Sequence, residues 1–253
     1  MPTSLAYQGV LNTEKNELKP HLKKTWCIGV MDANFMARLE QILHLYALPY
    51  DAQYPVICFD ERPCFLIGEA VGGLDMKAGQ VARQHYAYEK NGSCVLLMAI
   101  EPQTAKRLAQ VHAQRTKREY AHFMKDLAAR YPEAKKIRII QDNLNTHNAS
   151  SFYETLTAEE AFALSQRFEY YYTPKSASWL NLIEIEFSAL SKQCLNRRIA
   201  TQEALTREVL AVVKEREEKG IKIGWQFSIK SARHKLNRHY QQVNSENAKY
   251  QQS

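Results

Sequence analysis

Apolar positions along the chain follow two spacings, one typical of helices and one typical of strands. Residues 32–46 place apolar side chains three and four positions apart, which predicts a helix with Asp32 as its N-cap. Two short apolar runs, 54–61 and 135–143, predict buried strands, and each contains acidic residues at its end.

The stretch between these two runs predicts further strands and then helices. Residues 63–70 form a second apolar run that could pair with 54–61 as a hairpin. Asn91–Gly92 is a turn signal between two more strand-like runs, so three consecutive antiparallel strands are expected. Residues 104–130 have the composition of one or two helices.

The second half of the pattern alternates helices and strands. Thr157 with Glu160 three positions later is a capping-box pattern and predicts a helix over 157–167. A strand at 168–174 and a long helix at 181–196 follow, and the remainder is charged and mostly helical. The order predicts a mixed α/β fold, with a hairpin region first and crossovers afterwards.

Charge is distributed unevenly along the 253 residues. The net charge is +7, and residues 191–253 account for all of it, with 13 Lys and Arg against 6 Asp and Glu. A neutral body with a basic C-terminal third indicates a polyanionic partner, most often nucleic acid, although a solvated basic helix has the same composition.

Several classes of protein are excluded or disfavoured by composition. The longest apolar run, 94–100, is far shorter than the ~20 residues of a membrane span, and the N-terminus lacks the pattern of a signal peptide. The five cysteines form no C-x-x-C pair, which disfavours a zinc site or a disulfide framework. We expect a cytoplasmic, nucleoid-associated protein.

Acidic residues recur at the ends of the two buried strands. Asp60, beside Glu61, ends the first strand, and Asp142 ends the second. Sites in open α/β sheets gather at the carboxyl ends of strands, and carboxylate oxygens suit Mg²⁺ or Mn²⁺. The alternatives are that Asp60 and Glu61 end a strand facing water, and that Asp142–Asn143 is an ordinary turn.

Three segments resemble the signature blocks of a known family. "VICFDE", "IIQDNLNTH" and "YYTPKSASWLNLIEIEFSALSKQCLNRRI" are similar to blocks of the DDE transposases of the mariner superfamily, in the bacterial insertion-sequence branch. The resemblance extends from about Lys19 to Tyr240. It differs at Tyr171 and Ser176, where similar proteins have histidines.

The resemblance implies a ribonuclease H-like fold with a mixed five-stranded sheet flanked by helices. It implies that Asp60, Asp142 and Glu184 are the catalytic acids and hold two Mg²⁺ ions, for which Mn²⁺ can substitute. The implied reaction cuts a phosphodiester at a transposon end and joins the freed 3′-hydroxyl to target DNA, with TA as the expected target.

The resemblance also implies partners and an organisation of the chain. The partners are double-stranded DNA, a second copy of the chain and, since relatives carry helix-turn-helix domains ahead of the core, a separate helix-turn-helix polypeptide. We expect an arm or linker at 1–24, a catalytic core at 25–200, and a basic, mainly helical extension at 201–253 packed on the core. The candidate DNA contacts are His147, Lys175, Trp179, Arg197 and Arg198.

Two further hypotheses remain open. A truncated transposase could be a catalytically silent DNA-binding or dimerisation module that regulates a full-length enzyme. A different nuclease of the same fold is disfavoured by the "TPK…SWLNLIE" block.

Glu184 and Glu186 lie in one apolar run and require separate explanations. On a helix they are about 200° apart, so a single metal site can hardly use both. Periodicity places Glu186 on the apolar face, whereas Asn181 and Glu184 have the spacing of a capping box. The resemblance nevertheless assigns the metal to Glu184, and we therefore predict that Glu186 pairs with an arginine or lysine.

Overall fold

A mixed five-stranded sheet forms the centre of the protein. The computed structural model describes residues 31–72, 79, 85–144 and 147–247. Every element named below lies in the compact unit Asp32–Ser253. The strand order is β3-β2-β1-β4-β5, in which β1, β2 and β3 are antiparallel and β4 and β5 run parallel to β1. The predicted mixed five-stranded sheet is confirmed.

The elements follow one another in the predicted order of strands and helices. The strands are β1 (Val56–Glu69), β2 (Tyr88–Ile100), β3 (Arg107–His112), β4 (Ile137–Gln141) and β5 (Phe168–Tyr172). The α-helices are α1 (Ala33–Ala47), α2 (Lys117–Ala129), α3 (Ser150–Tyr153), α4 (Ala158–Ser165), α5 (Ile183–Leu190), α6 (Gln202–Glu218), α7 (Ile229–Lys235) and α8 (Asn237–Val243). A 3-10 turn, Ser178–Leu180, precedes α5, and a π-helical turn, Ser191–Leu195, follows it.

The first predicted hairpin is wrong, because β1 continues through the acids to Glu69. Its pairing with β4 ends at Cys58, and beyond that point it pairs with β2 alone. An edge strand tolerates Pro63, which lacks an N–H to donate. The Asn91–Gly92 turn is also wrong: the dipeptide lies inside β2, where the pairing register shifts and Gly92 adopts a φ of 97°.

The predicted helical region 104–130 is helical only from Lys117 onward. Residues Arg107–His112 form β3, which pairs with β2 along its full length. The residue types favour a helix, but pairing with β2 and the burial of Arg107 override that preference. The predicted starts of two other helices are confirmed. Asp32 caps α1, and Thr157 with Glu160 forms the capping box of α4.

The register of β1 against β4 explains why two acids meet. Cys58 lies opposite Ile140, and the parallel register continued by two residues places Asp142 beside Asp60. Because side chains alternate between the faces of a sheet, Cys58 and Asp60 point to one face and Phe59 and Glu61 to the other. Asp60 and Asp142 therefore lie next to each other where the pairing of β1 with β4 ends.

Each face of the sheet is covered by helices. Phe59, Leu97 and Ile139 belong to a buried cluster that continues through α2 to Phe123 and on to Phe152. On the opposite face, the Tyr46 hydroxyl of α1 lies 3.3 Å from the Cys58 thiol. The part of the sheet that carries Asp60 and Asp142 therefore lies between two layers of helices.

The C-terminal segment contacts the sheet and α1 through charged side chains. Arg233 of α7 donates two hydrogen bonds to Glu40, each 2.7 Å long, and the Tyr240 hydroxyl donates a third. The predicted arm at 1–24 lies outside the described residues, and the boundaries 25–200 and 201–253 stay a prediction. Within the described ranges, no helix is both long and apolar enough to cross a membrane.

Candidate functional site

Asp60, Asp142 and Glu184 come from three different elements. Asp60 lies within β1, Asp142 directly follows β4, and Glu184 lies in the first turn of α5. The charges of both Asp142 and Glu184 act on Asp60. The structure therefore brings the three predicted acids into one neighbourhood, and their catalytic role stays a proposal.

Each aspartate has one carboxylate oxygen fixed by a hydrogen bond. The backbone N–H of Glu61 donates to Asp60 Oδ1 at 2.8 Å. His147 Nδ1 lies 2.9 Å from Asp142 Oδ1, and His147 Nε2 lies 2.5 Å from Glu61 Oε2. The imidazole of His147 thus bridges the carboxylates of Glu61 and Asp142.

The His147 ring is fixed on every side. It stacks on Tyr120 with the ring centroids 4.9 Å apart, and it makes a T-shaped contact with Phe59 at a centroid distance of 5.2 Å. The Gln141 side chain donates a 2.6 Å hydrogen bond to the His147 carbonyl. Burial lowers the pKa of His147, but hydrogen bonds to Asp142 and Glu61 outweigh burial and raise the pKa to about 9.

The predicted DNA contact of His147 does not fit this position. Its side chain is 1% exposed and is held between two acids. A phosphate cannot reach a ring enclosed in this way without displacing its neighbours. The histidine is placed to orient Asp142.

Asn181 joins the start of α5 to β1. Its side-chain amide donates a 2.8 Å hydrogen bond to the carbonyl of Phe59, the residue before Asp60. The capping box with Glu184, which the spacing from Asn181 allowed as an alternative, does not form, because Leu182 is the N-cap of α5 and makes no side-chain capping bond. The Tyr46 hydroxyl adds a 2.7 Å bond to the carbonyl of Leu180. Both bonds bring the helix start, and with it Glu184, against the acidic edge.

Glu186 has the partner that its position requires. It is fully buried, and both Arg107 and Arg216 bind its two oxygens with bonds of 2.7–3.1 Å. Burial raises the pKa of Glu186, but the two guanidinium groups hold it below its usual value. The predicted pairing with an arginine is confirmed, with two arginines instead of one.

The raised pKa of Asp60 reflects its burial first and the acids around it second. Burial raises the pKa of Asp60 to about 7; the Glu61 N–H opposes the rise, and the charges of Asp142, Glu61 and Glu184 add to it. Among the described residues, no three histidine, cysteine or acidic side chains converge as a closed metal site. The acids therefore interact through their charges without surrounding a single point.

We expect the melting temperature of the chelator-treated protein to fall relative to that of Asp60→Asn as the pH rises from about 4 to about 7. The pKa of Asp60 is about 7 in the folded chain, and it is about 3.9 in an unfolded chain, so the folded state holds the extra proton in this window and loses stability as it is released. The raised pKa of His147 acts in the same direction between about 6.5 and about 9.

Thermal melts of the wild type and Asp60→Asn across this range measure the effect. Asp60→Asn is expected to flatten the lower part of the slope and to be the more stable protein at pH 8. Equal slopes in the two proteins would contradict the raised pKa of Asp60.

The other predicted DNA contacts lie in different surroundings. Lys175 is exposed, and Trp179 is 39% exposed with its ring 5.7 Å from that of Phe227. Arg197 forms an ion pair with Glu208. The Arg198 guanidinium donates to the backbone carbonyls of residues 85–87, so it holds the segment that leads into β2.

Sequence reasoning missed several residues that build the site. Glu61 was considered only as an acid facing water, yet its side chain is 4% exposed and touches His147. Alternation along β1 was the available signal, since it turns Glu61 to the face opposite Asp60. For Asn181, Arg107 and Arg216, the partner lies far away in the chain, and local spacing carries no signal of it.

Comparison with known proteins identifies the family. The profile of the DDE superfamily endonucleases matches residues 55–206, more than half of the chain. No curated protein matches the chain. Among solved structures, the Mos1 mariner paired-end complex with Mn is 15% identical, covering 95% of this chain and 70% of that chain with a TM-score of 0.51.

Two further complexes match to a similar degree. The Mos1 transposase paired-end complex with the left transposon end is 14% identical over 96% of this chain and 71% of that chain, with a TM-score of 0.52. The Mos1 strand transfer complex is 15% identical over 95% and 70%, with a TM-score of 0.50. The chain therefore belongs to the DDE superfamily endonucleases, and its described core has the ribonuclease H-like fold of a mariner transposase.

Proposed function

We propose that the chain is the catalytic domain of a DNA transposase and that Asp60, Asp142 and Glu184 are its catalytic acids. The domain cuts phosphodiester bonds at transposon ends and joins the freed 3′ end to target DNA. The observation that carries the proposal is the register of β1 and β4, which, continued by two residues, brings Asp142 level with Asp60; the charges of Asp142 and Glu184 both act on Asp60. Membership of the endonuclease family supports the reaction class.

The donor chemistry fits divalent cations. Three carboxylates near one another repel, and the raised pKa of Asp60 reflects burial together with that repulsion. Carboxylate oxygens are preferred ligands of Mg²⁺ and Mn²⁺, and two such ions are proposed here, Mg²⁺ being the natural one. Bound there, the ions would activate water and stabilise the attacking and leaving oxygens.

The residues of the chain orient the site. The Glu61 N–H fixes Asp60 Oδ1 and His147 fixes Asp142 Oδ1, so the second oxygen of each carboxylate is the one available to an ion. Glu184 is exposed to solvent and to substrate. Catalysis of phosphoryl transfer depends mainly on such positioning and on charge stabilisation.

An open groove beside Glu184 is the proposed path of the DNA. The groove has a volume of about 540 Å³, and its lining includes Trp179, Ile185 and Lys192. Trp179 and Ile185 are 39% and 44% exposed, so an aromatic and an aliphatic surface lie next to a cation. Bases stack on aromatic rings, and lysines bind phosphates.

The remaining details of the activity extend this proposal. Target choice at TA, membership of the bacterial insertion-sequence branch, action as a homodimer on paired ends, and a separate helix-turn-helix polypeptide all stay predictions. So do the phosphate contacts of Lys175 and Arg197 and the cytoplasmic, nucleoid-associated location. The Mos1 paired-end complexes support the general arrangement of two ends on the enzyme.

A catalytically silent DNA-binding or dimerisation module is the second candidate. The observation that favours it is that, in the described part of the chain, no three potential ligands already converge on one point. In this case the acids would remain as an inherited cluster without a bound ion.

Calorimetric titration with Mn²⁺ separates the two candidates. We expect saturable binding to the wild type at micromolar to millimolar Mn²⁺, and at least ~10-fold weaker binding to Asp60→Asn because a charged ligand is lost. Asp126→Asn, on the exposed face of α2, is the control and should bind like the wild type. Absence of saturable binding by the wild type at millimolar Mn²⁺ would favour the silent module.

A further inference from the structure

Glu186 and its two arginines form a buried charged cluster next to the proposed metal site. Arg107 donates to the carboxylate at 2.7 and 3.1 Å, and Arg216 donates at 2.8 and 3.0 Å. Arg107 and Glu186 are fully buried, and the Arg216 side chain is 11% exposed. Each carboxylate oxygen of Glu186 therefore accepts one hydrogen bond from each arginine.

The cluster connects three parts of the chain. Arg107 belongs to β3, Glu186 to α5 and Arg216 to α6. Arg216 lies beyond residues 55–206, the segment that the family profile matches. The same contact area includes a 2.7 Å bond from Arg107 to the carbonyl of Ile221, and the backbone N–H of Arg107 donates at 2.6 Å to Glu217. The C-terminal segment is thereby fixed to the edge of the sheet.

Glu184 and Glu186 share an eight-residue helix, and their directions are linked. Residues two positions apart on a helix point about 200° apart around its axis. Holding Glu186 on one side therefore directs Glu184 to nearly the opposite side. The N-terminus of α5 has no side-chain cap. The orientation of this short helix about its own axis therefore depends on tertiary contacts. Among these contacts, the hydrogen bonds to Glu186 are charged and buried.

We infer that Arg107, Glu186 and Arg216 are positioning residues for Glu184, so that α6 takes part in forming the metal site. The inference rests on the proposed function, because it assumes that Glu184 binds metal. It extends the site beyond the three acids and beyond the part of the chain that the family profile matches. Partners of this kind, which orient the ligands, commonly change metal affinity 10–100-fold when they are replaced.

The test compares two glutamates, each held by an arginine of the C-terminal segment. Glu186→Gln removes the charge that binds Arg107 and Arg216, and Glu40→Gln removes the charge that binds Arg233. Both variants are made in the full chain, and Mn²⁺ affinity is measured by calorimetry without DNA at a temperature where thermal melts show them folded. We expect at least ~10-fold weaker Mn²⁺ binding for Glu186→Gln and a change below ~2-fold for Glu40→Gln.

Arg216→Gln is the second variant, and it decides the result if Glu186→Gln fails to fold. It keeps the Arg107–Glu186 pair and removes only the link from Glu186 to α6, so weaker Mn²⁺ binding by a folded Arg216→Gln supports the inference. Wild-type affinity in the folded variants would overturn the inference while leaving the metal site intact. Absence of binding by the wild-type protein itself would instead overturn the proposed function, and the inference with it.

Discussion

Asp142→Asn is expected to lower metal-dependent DNA nicking by about 1,000-fold or more. The substitution keeps the size of the side chain but removes a negative charge from the point where β4 ends beside Asp60. Loss of one group that acts on the developing charge of the transition state commonly costs 10²–10³-fold, and a metal ligand contributes at least as much. We expect Glu184→Gln to have a similar effect.

The measurement is nicking and strand transfer on DNA that carries the ends of the element, with Mn²⁺ or Mg²⁺ and a helix-turn-helix partner supplied if the chain needs one. Asp126→Asn is again the control, because its carboxylate hydrogen-bonds to Gln110 on the surface. The stability of folded Asp142→Asn should change little, because the loss of repulsion with Asp60 is opposed by the loss of the charge that faces His147. Undiminished products from a folded Asp142→Asn would disprove the catalytic assignment.

Arg107→Met is expected to lower the free energy of unfolding by about 3 kcal/mol, the largest loss of stability among these variants. The methionine occupies a similar volume, but Glu186 then has one cationic partner, and the carbonyls of Ala105 and Ile221 lose a donor. Breaking one side of a buried ion pair typically costs 3–5 kcal/mol because the remaining charge stays out of water. For a domain of this size, we expect the melting temperature to fall by about 6–12 °C.

Lys125→Ala is the matched control for Arg107→Met. The Lys125–Glu160 pair is 3.0 Å long, but both side chains are about half exposed. Exposed pairs contribute about 0–1 kcal/mol, so the melting temperature should change little. Thermal unfolding followed by circular dichroism measures both variants. Equal losses in the two proteins would show that burial does not strengthen the role of Arg107.

Local patterns predicted the features that depend on neighbouring residues. The caps at Asp32 and Thr157 follow from spacing of three positions, and the position of Asp142 after β4 follows from a short apolar run. The extent of β1 could not be predicted in this way. Pro63 and Asn91–Gly92 are ordinary turn signals, and only the pairing of two long strands shows that the chain does not turn there.

Contacts across the chain account for the rest of the site. Periodicity placed Glu186 on an apolar face and required a cation, but Arg107 is 79 residues away and lies in a segment with the composition of a helix. The bond from Asn181 to the Phe59 carbonyl spans 122 residues. Sequence spacing predicts the need for such partners without identifying them, because the packing of α5 and of the turn before it against the sheet brings them together.

The continuation of β1 past Asp60 gives the three acids unequal freedom to move. Asp60 lies opposite Met98, well inside the long ladder that β1 forms with β2, so its backbone is a fixed reference point. Asp142 begins a loop, and Glu184 begins a short helix held by side chains. Any narrowing of the distances among the carboxylates must come from the Asp142 and Glu184 sides. Substitutions that retune the site without disrupting the sheet should therefore be found around the loop after β4 and around α5.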